Sequence, residues 1–329
     1  MKRVKKILRS KSGIALITVI LILSILVAAA LELNRASRAD VYDAANVSDA
    51  VKLYYIAKSG FYGAAALLAN SKNEYDTLRD DWAHAEILSA QSKSFFPNGQ
   101  FVVRIDDEQG KVPLQRLVHD GAVDENVRGL LLRLLKLPEF KLEGHKAEEM
   151  VDSIIDWIDE NSDVTGQGAE SSYYQSLPQP YTAKNAPLDC IEELLMIKGI
   201  TREIYMRTSE KPGLAQFVTI YGSGAVNPST AQKMILRALD ERITAELADR
   251  MDEYRKAKGN NLSSVEWYKK VTGMEAITIK PELITMVKSS HFKIYSTGTA
   301  DKMEQHITGV IKRPRELREP VSIVSWRQE

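Results

Sequence analysis

The chain has 329 residues, 44% hydrophobic and 27% charged, enough apolar material for one large core or two smaller ones, which excludes a disordered chain. Its 44 basic and 44 acidic residues cancel, and removing the six bases of the first 13 residues leaves 38 against 44, a net −6 that argues against non-specific nucleic-acid binding. The single cysteine, Cys190, excludes an intrachain disulfide or a Cys-rich zinc site, and His84, His119, His145, His291 and His306 lack the i, i+4 spacing of a helical metal pair.

Lys2, Arg3, Lys5, Lys6, Arg9 and Lys11 lead to Gly13, and from Ile14 to Leu31 run 18 uncharged residues whose only polar side chains are Thr18 and Ser24. That is the lower limit for crossing a hydrocarbon layer of about 30 Å as a helix. The basic cluster holds the N-terminus in the cytoplasm and places everything from Glu32 onward outside. Ala28-Ala29-Ala30 would suit a secretory cleavage that released a soluble protein. Against this, no proline occurs before Pro97, and Val47, Val51, Tyr54, Ala57, Phe61, Ala64, Ala65 and Leu68 recur at helical spacing. One rod from Ile14 to about Asn70 is predicted, roughly 85 Å long at 1.5 Å per residue. Gly60 and Gly63 weaken such a rod by about 1 kcal/mol each, or mark close packing against a sheet.

A basic leader ending in glycine and running straight into an apolar helix resembles that of type IV pilin-like subunits. The resemblance implies cleavage by prepilin peptidase between Gly13 and Ile14. Most such subunits carry glutamate at the fifth mature position, where this chain has Thr18.

Further along, Phe101 to Ile105 alternates as a strand and Asp106 to Gly110 reads as a turn. Helical patterns follow at Val127 to Leu137, Lys146 to Trp157, Leu188 to Lys198, Thr201 to Arg207 and Thr230 to Lys258. Strand patterns return at His291 to Thr297, His306 to Lys312 and Val321 to Trp326. A helical region is thus inserted in a sheet-containing head.

The segment DSIIDWIDENSDVTGQGAESSYY, Asp152 to Tyr174, resembles the central signature of the type II secretion system protein K family, the large minor pseudopilins. Pro180 to Thr201, Tyr221 to Ala231 and Val324 to Glu329 resemble the same family in the same order, and protein K typically lacks the glutamate that Thr18 replaces. The resemblance implies an α+β, type IV pilin-like fold: leader 1–13, N-terminal transmembrane and amphipathic helix 14–70, first part of the pilin-like domain 71–112, an all-helical inserted domain 113–285, and closing antiparallel strands 286–329. It implies a non-enzymatic minor pseudopilin at the tip of a periplasmic pseudopilus, with a single pass through the inner membrane. Its partners would be the I and J minor pseudopilins, other pseudopilins and prepilin peptidase, with no nucleic acid.

Asp156, Asp159, Asp163 and Glu170, with Asn161, crowd oxygen donors into a glycine-containing turn. Hard oxygens on a flexible loop suit calcium, which takes about six to eight of them. The spacing is not that of an EF-hand; resemblance to protein K, whose helical domain binds calcium, is what turns the acidic loop into an expected calcium site. Otherwise, Asp159 and Asp163 would cap helices while Trp157, Tyr173 and Tyr174 pack together. Asp156 and Asp159 could serve as general acid and base, but no GxSxG, P-loop or HExxH accompanies them, and no enzyme is expected. Ile191 to Met206 also resembles a helix-hairpin-helix, which would make the chain a membrane-anchored DNA-binding module. Glu192 and Glu193 beside Lys198 and Arg202 favour a hairpin packed through Leu194, Leu195, Ile197 and Ile200 instead. Trp82, Trp157, Trp267 and Trp326 are expected as core or interface anchors.

Overall fold

A computed structural model describes residues 11–206, 208–222, 224–285, 288–314 and 320–328. Residues 1–10 of the basic leader, and the terminal Glu329 of the closing motif, lie outside the described residues. Helix α1 runs unbroken over Lys11–Ala69, 59 residues or roughly 88 Å at 1.5 Å per residue. Its first part is fully exposed, and burial begins at Leu53 and continues through Ile56, Ala57, Phe61, Ala64, Ala65 and Leu68. The predicted face therefore docks later than expected, because Val47 and Val51, 64% and 50% exposed, precede the first sheet residues that reach the helix.

After α2 (Glu86–Ser92) comes strand β1 (Gln100–Asp107), which pairs across the insertion with β6 (His291–Ala300); β7 (Met303–Lys312) and β8 (Ser322–Gln328) complete an antiparallel sheet of order β1-β6-β7-β8. Alternation along β1 and β6 sends Phe101, Val103, Ile105, Phe292 and Ile294 toward α1. A Cβ on Gly60 would strike the Ser296 and Phe101 side chains, and one on Gly298 would strike the Leu53 carbonyl and Ala57, so helix and sheet approach closely at two glycines and meet backbone to backbone at Gly298. Trp326 closes this core edge-to-face on Phe61 at 4.8 Å. The outer edge of β1 is covered by α2. Ser89 Oγ accepts the Val103 N–H at 2.8 Å, and Ser92 Oγ accepts the Phe101 N–H at 3.1 Å.

Between β1 and β6 lies a second core, ordered as β2 (Val112–Pro113), β3 (Val118–His119), β4 (Ala122–Val123), α3 (Glu125–Leu135), α4 (Gly144–Ile158), α5 (Ser171–Gln175), α6 (Arg202–Tyr205), β5 (Val218–Thr219), α7 (Lys233–Ala238) and α8 (Ala245–Lys256). The insertion is mostly helical and also carries two short ladders, parallel β2-β5 and the hairpin β3-β4. Helix α3 begins where Asp124 accepts the N–H groups of Asn126 and Val127. The single long helix predicted for Thr230 to Lys258 is two helices. Asp240 accepts the Arg242 N–H and Thr244 caps α8, so two polar side chains satisfy backbone donors that a continuous helix would use.

The insertion joins the sheet at Asp107 and His291, the end remote from Leu53 and the membrane segment, as the pairing of Gln100 with Thr299 and of Asp107 with Phe292 shows. The junction is polar and buried. Asp76 accepts two bonds from Arg313, at 2.7 and 2.9 Å, and one from the Ser289 N–H at 2.6 Å. Asp107 accepts the hydroxyls of Thr230 and Ser289, both at 2.7 Å, and the Gln109 N–H at 2.9 Å.

Candidate functional site

The acidic turn leaves the C-terminus of α4, where Trp157 points inward and packs edge-to-face on Tyr174, 5.3 Å away, while Tyr173 lies against Tyr174. The aromatic cluster expected from the sequence therefore forms, and it forces the nearby carboxylates into an interior of low polarity. Asp156, Asp159 and Glu170 are 0%, 5% and 3% exposed. Each is only half satisfied. Asp156 Oδ1 accepts the Thr165 N–H at 2.9 Å and Glu170 Oε2 accepts the Ser171 N–H at 3.2 Å, whereas Asp156 Oδ2, Asp159 Oδ1 and Glu170 Oε1 are buried with no hydrogen-bond partner.

Unpaired buried carboxylate oxygens are costly, and the cost registers as basicity. Burial pushes Asp159 up to about 6, and the neighbouring charge of Asp156 adds to it. Burial likewise raises Asp156 and Glu170, and Glu170 also feels Asp156, Asp159 and Asp163. A cation bound beside these oxygens would remove both penalties. Among the described residues, no three His, Cys, Asp or Glu side chains come close enough together to hold a metal by themselves. Asp156, Asp159 and Glu170 are therefore not gathered as a ligand set; each brings one unpartnered buried oxygen to the turn, and a cation there would draw most of its shell from backbone carbonyls or water.

Asp163 and Asn161 are exposed at the tip of the turn, where Asn161 hydrogen-bonds to Asp159. The Asn161 side-chain oxygen accepts the Asp163 N–H at 2.7 Å, and its backbone carbonyl accepts Asn185 Nδ2. Asn185 is a neighbour that sequence reasoning missed. Its own Oδ1 is buried and unpartnered, and its left-handed backbone, φ 47°, brings it back to the turn. An asparagine within PYTAKNAPLDC was visible; its reach across 24 residues was not.

At the membrane end, α1 passes through Gly13 and Ile14 without a break, and both are exposed. Thr18 Oγ1 donates to the Ile14 carbonyl at 2.9 Å, so this side chain turns back on its own helix. Among the described residues, α1 is the helix long and apolar enough to cross a membrane.

The segment that resembles a helix-hairpin-helix is a 3₁₀ segment, Ile191–Met196, followed by the single turn of α6. Glu192, Glu193 and Lys198 are engaged internally. Lys198 donates to the carbonyls of Gln167 and Gly168 and pairs with Glu149 at 3.0 Å, and Glu192 pairs with Arg327 at 2.6 Å. Leu194, Ile197 and Ile200 are buried as expected, whereas Leu195 is 42% exposed because a 3₁₀ turn repeats every third residue.

Residues 110–221 match the family model for protein K of the type II secretion system (T2SS). The chain is 24% identical over 212 residues to type II secretion system protein K of Aeromonas hydrophila, covering 60% of this chain and 62% of that relative. It is 26% identical over 243 residues to the protein K of Pseudomonas aeruginosa, covering 71% of this chain and 69% of the relative. The alignment thus spans less than two thirds of the Aeromonas protein. Its fold matches a chain in the crystal structure of the GspK-GspI-GspJ complex from the type 2 secretion system of enterotoxigenic Escherichia coli, with a TM-score of 0.63, 19% identity, and coverage of 86% of this chain and 97% of that one. The acidic turn lies inside the matched region, and the chain is similar to protein K of the type II secretion system in sequence over that region and in its pilin-like fold.

Proposed function

We propose that this chain is a minor pseudopilin that caps the tip of the type II secretion pseudopilus and starts its assembly with the I and J minor pseudopilins. The observation that carries the reading is the place of the insertion. It is attached at the end of the sheet remote from the membrane helix, so its bulk stands above the pilin-like head, where a further subunit would have to add. Leu33, Val41, Tyr42, Val47, Val51 and Tyr55 remain exposed along α1 beneath the head and offer an apolar surface to neighbouring subunits in a fibre. The GspK-GspI-GspJ complex of the structural neighbour supports I and J as the partners.

Thr18 belongs to the same argument. In a pilus, the glutamate of an incoming subunit neutralises the buried amine of the subunit above, since an unpaired buried charge is expensive. A topmost subunit has no amine above it, and Thr18 instead satisfies itself on Ile14. The chain is inserted in the inner membrane by α1, with its head in the periplasm, and its role is structural rather than catalytic. Asp156 supports this last point, being fully buried with one oxygen held by the backbone.

Coexpression with prepilin peptidase followed by N-terminal sequencing tests the assignment. A mature terminus at Ile14 is expected, and one at Leu31, or no cleavage, overturns it. In the same reading, calcium occupies the acidic turn, supported by the three orphan oxygens. Chelation should lower the melting temperature, because an ion that binds only the folded state adds to its stability. An unchanged melt together with no bound metal by elemental analysis removes calcium from the proposal and leaves the capping role standing.

A further inference from the structure

The acidic turn is held by contacts that touch none of its orphan oxygens. Arg128, on α3, donates to Asp152 Oδ1 at 2.8 Å, and Asp152, on α4, is only 3% exposed. The other Asp152 oxygen accepts the Gln167 N–H at 3.1 Å, and one turn later Asp156 Oδ1 accepts the Thr165 N–H. These two carboxylates lay the backbone of residues 165–168 along α4. A Cβ on Gly166 would strike the Asp152 carboxylate and one on Gly168 would strike Asp156, so only glycine allows so close an approach. From the other side, Lys198 Nζ grips the carbonyls of Gln167 and Gly168 at 3.1 and 3.3 Å.

Asp152 itself has both oxygens partnered and offers none to an ion. Stripped of Arg128 it would be an uncompensated buried charge beside Asp156, a state that proteins escape by protonation or displacement. Either escape releases the Gln167 N–H and the segment that leads into Glu170. We propose that Arg128 is a positioning residue for the acidic turn. It neutralises Asp152, which can then pin the 165–168 backbone and keep Asp156 and Glu170 set against Asp159. The inference rests on the cation reading of the turn and adds a residue from a different helix to it.

The test uses the full-length protein in detergent, stripped with chelator and titrated with calcium alone by calorimetry. Arg128→Gln should weaken calcium binding by about tenfold or more, the range found for residues that orient metal ligands. The double variant Arg128→Gln/Asp152→Asn should recover to within about threefold of the wild type, because a neutral Asn needs no counter-charge and still accepts the Gln167 N–H. In the calcium-free single variant, the Gln167 amide should exchange faster than in the wild type. A single variant within about twofold of wild-type affinity, or a double variant as weak as the single, overturns the positioning role. If the single variant fails to fold, the double decides alone: near-wild-type affinity supports the role and a tenfold loss overturns it. Wild-type protein that binds no calcium overturns the cation reading and this inference with it, an outcome distinct from binding that the variants leave unchanged.

Discussion

Asp107 shows how one residue can set the pH response of the fold. It is 7% exposed and surrounded by Thr230, Ser289 and the Gln109 N–H, with the Asp76 carboxylate nearby and no cation bonded to it. Burial pushes it from 3.8 up to about 7. The folded protein therefore keeps a proton that the unfolded chain releases. This contribution to stability is complete below about pH 4 and is lost as pH rises toward 7. Asp107→Asn should flatten that slope, so that urea midpoints of wild type and variant diverge between pH 4 and 7 and run parallel above it; identical slopes would show that Asp107 titrates normally. Nothing at the sequence level marks Asp107 apart from Asp106 beside it, since strand alternation sends one outward and the other into the junction.

The same limit applied to the acidic turn. Asp156, Asp159, Asp163 and Glu170 stood out as a group from composition alone. Their division into three buried, half-satisfied carboxylates and one exposed carboxylate depends on where Trp157 and Tyr174 pack. Asn161 drew attention for its side-chain oxygen, which is already occupied by the Asp163 N–H.

At the scale of elements, the pattern of α1 was legible because a helix buries residues by local periodicity, and its end at Ala69 came out close to prediction. Where it begins to dock was not legible, because that depends on the tip of the β6-β7 hairpin, some 240 residues away in the chain. The edge of β1 makes a similar point. An uncovered edge invites pairing with other chains, and α2 prevents this with two serine hydroxyls in place of a strand. Ser89→Ala would leave the buried Val103 N–H without an acceptor, at a cost of about 1 to 3 kcal/mol in urea unfolding. A loss much below that range would mean that water replaces the hydroxyl.

At the scale of the molecule, two cores are joined by a buried polar seam rather than by a flexible linker. Asp76 and Arg313 form its charged centre, at 0% and 5% exposure, with Arg313 also lying over Phe292 at 4.5 Å. Removing one partner strands the other. Arg313→Met should destabilise the head by about 3 to 5 kcal/mol, whereas changing Asp76 and Arg313 together to apolar residues should cost much less. Equal losses in the single and double variants would show that the seam is held by its neutral hydrogen bonds.

By itself, the sequence determined the long apolar N-terminal helix, the strands that open and close the head and the ordered motifs that resemble protein K, because these depend on composition, local periodicity and residues adjacent in the chain. Only the tertiary structure decided that the insertion stands at the membrane-distal end of the sheet, that Asp107 lies against Asp76 and Thr230, and that Arg128 reaches across to Asp152. Each of these depends on which distant segments exclude water from one another, and that is set by the packing of the whole chain.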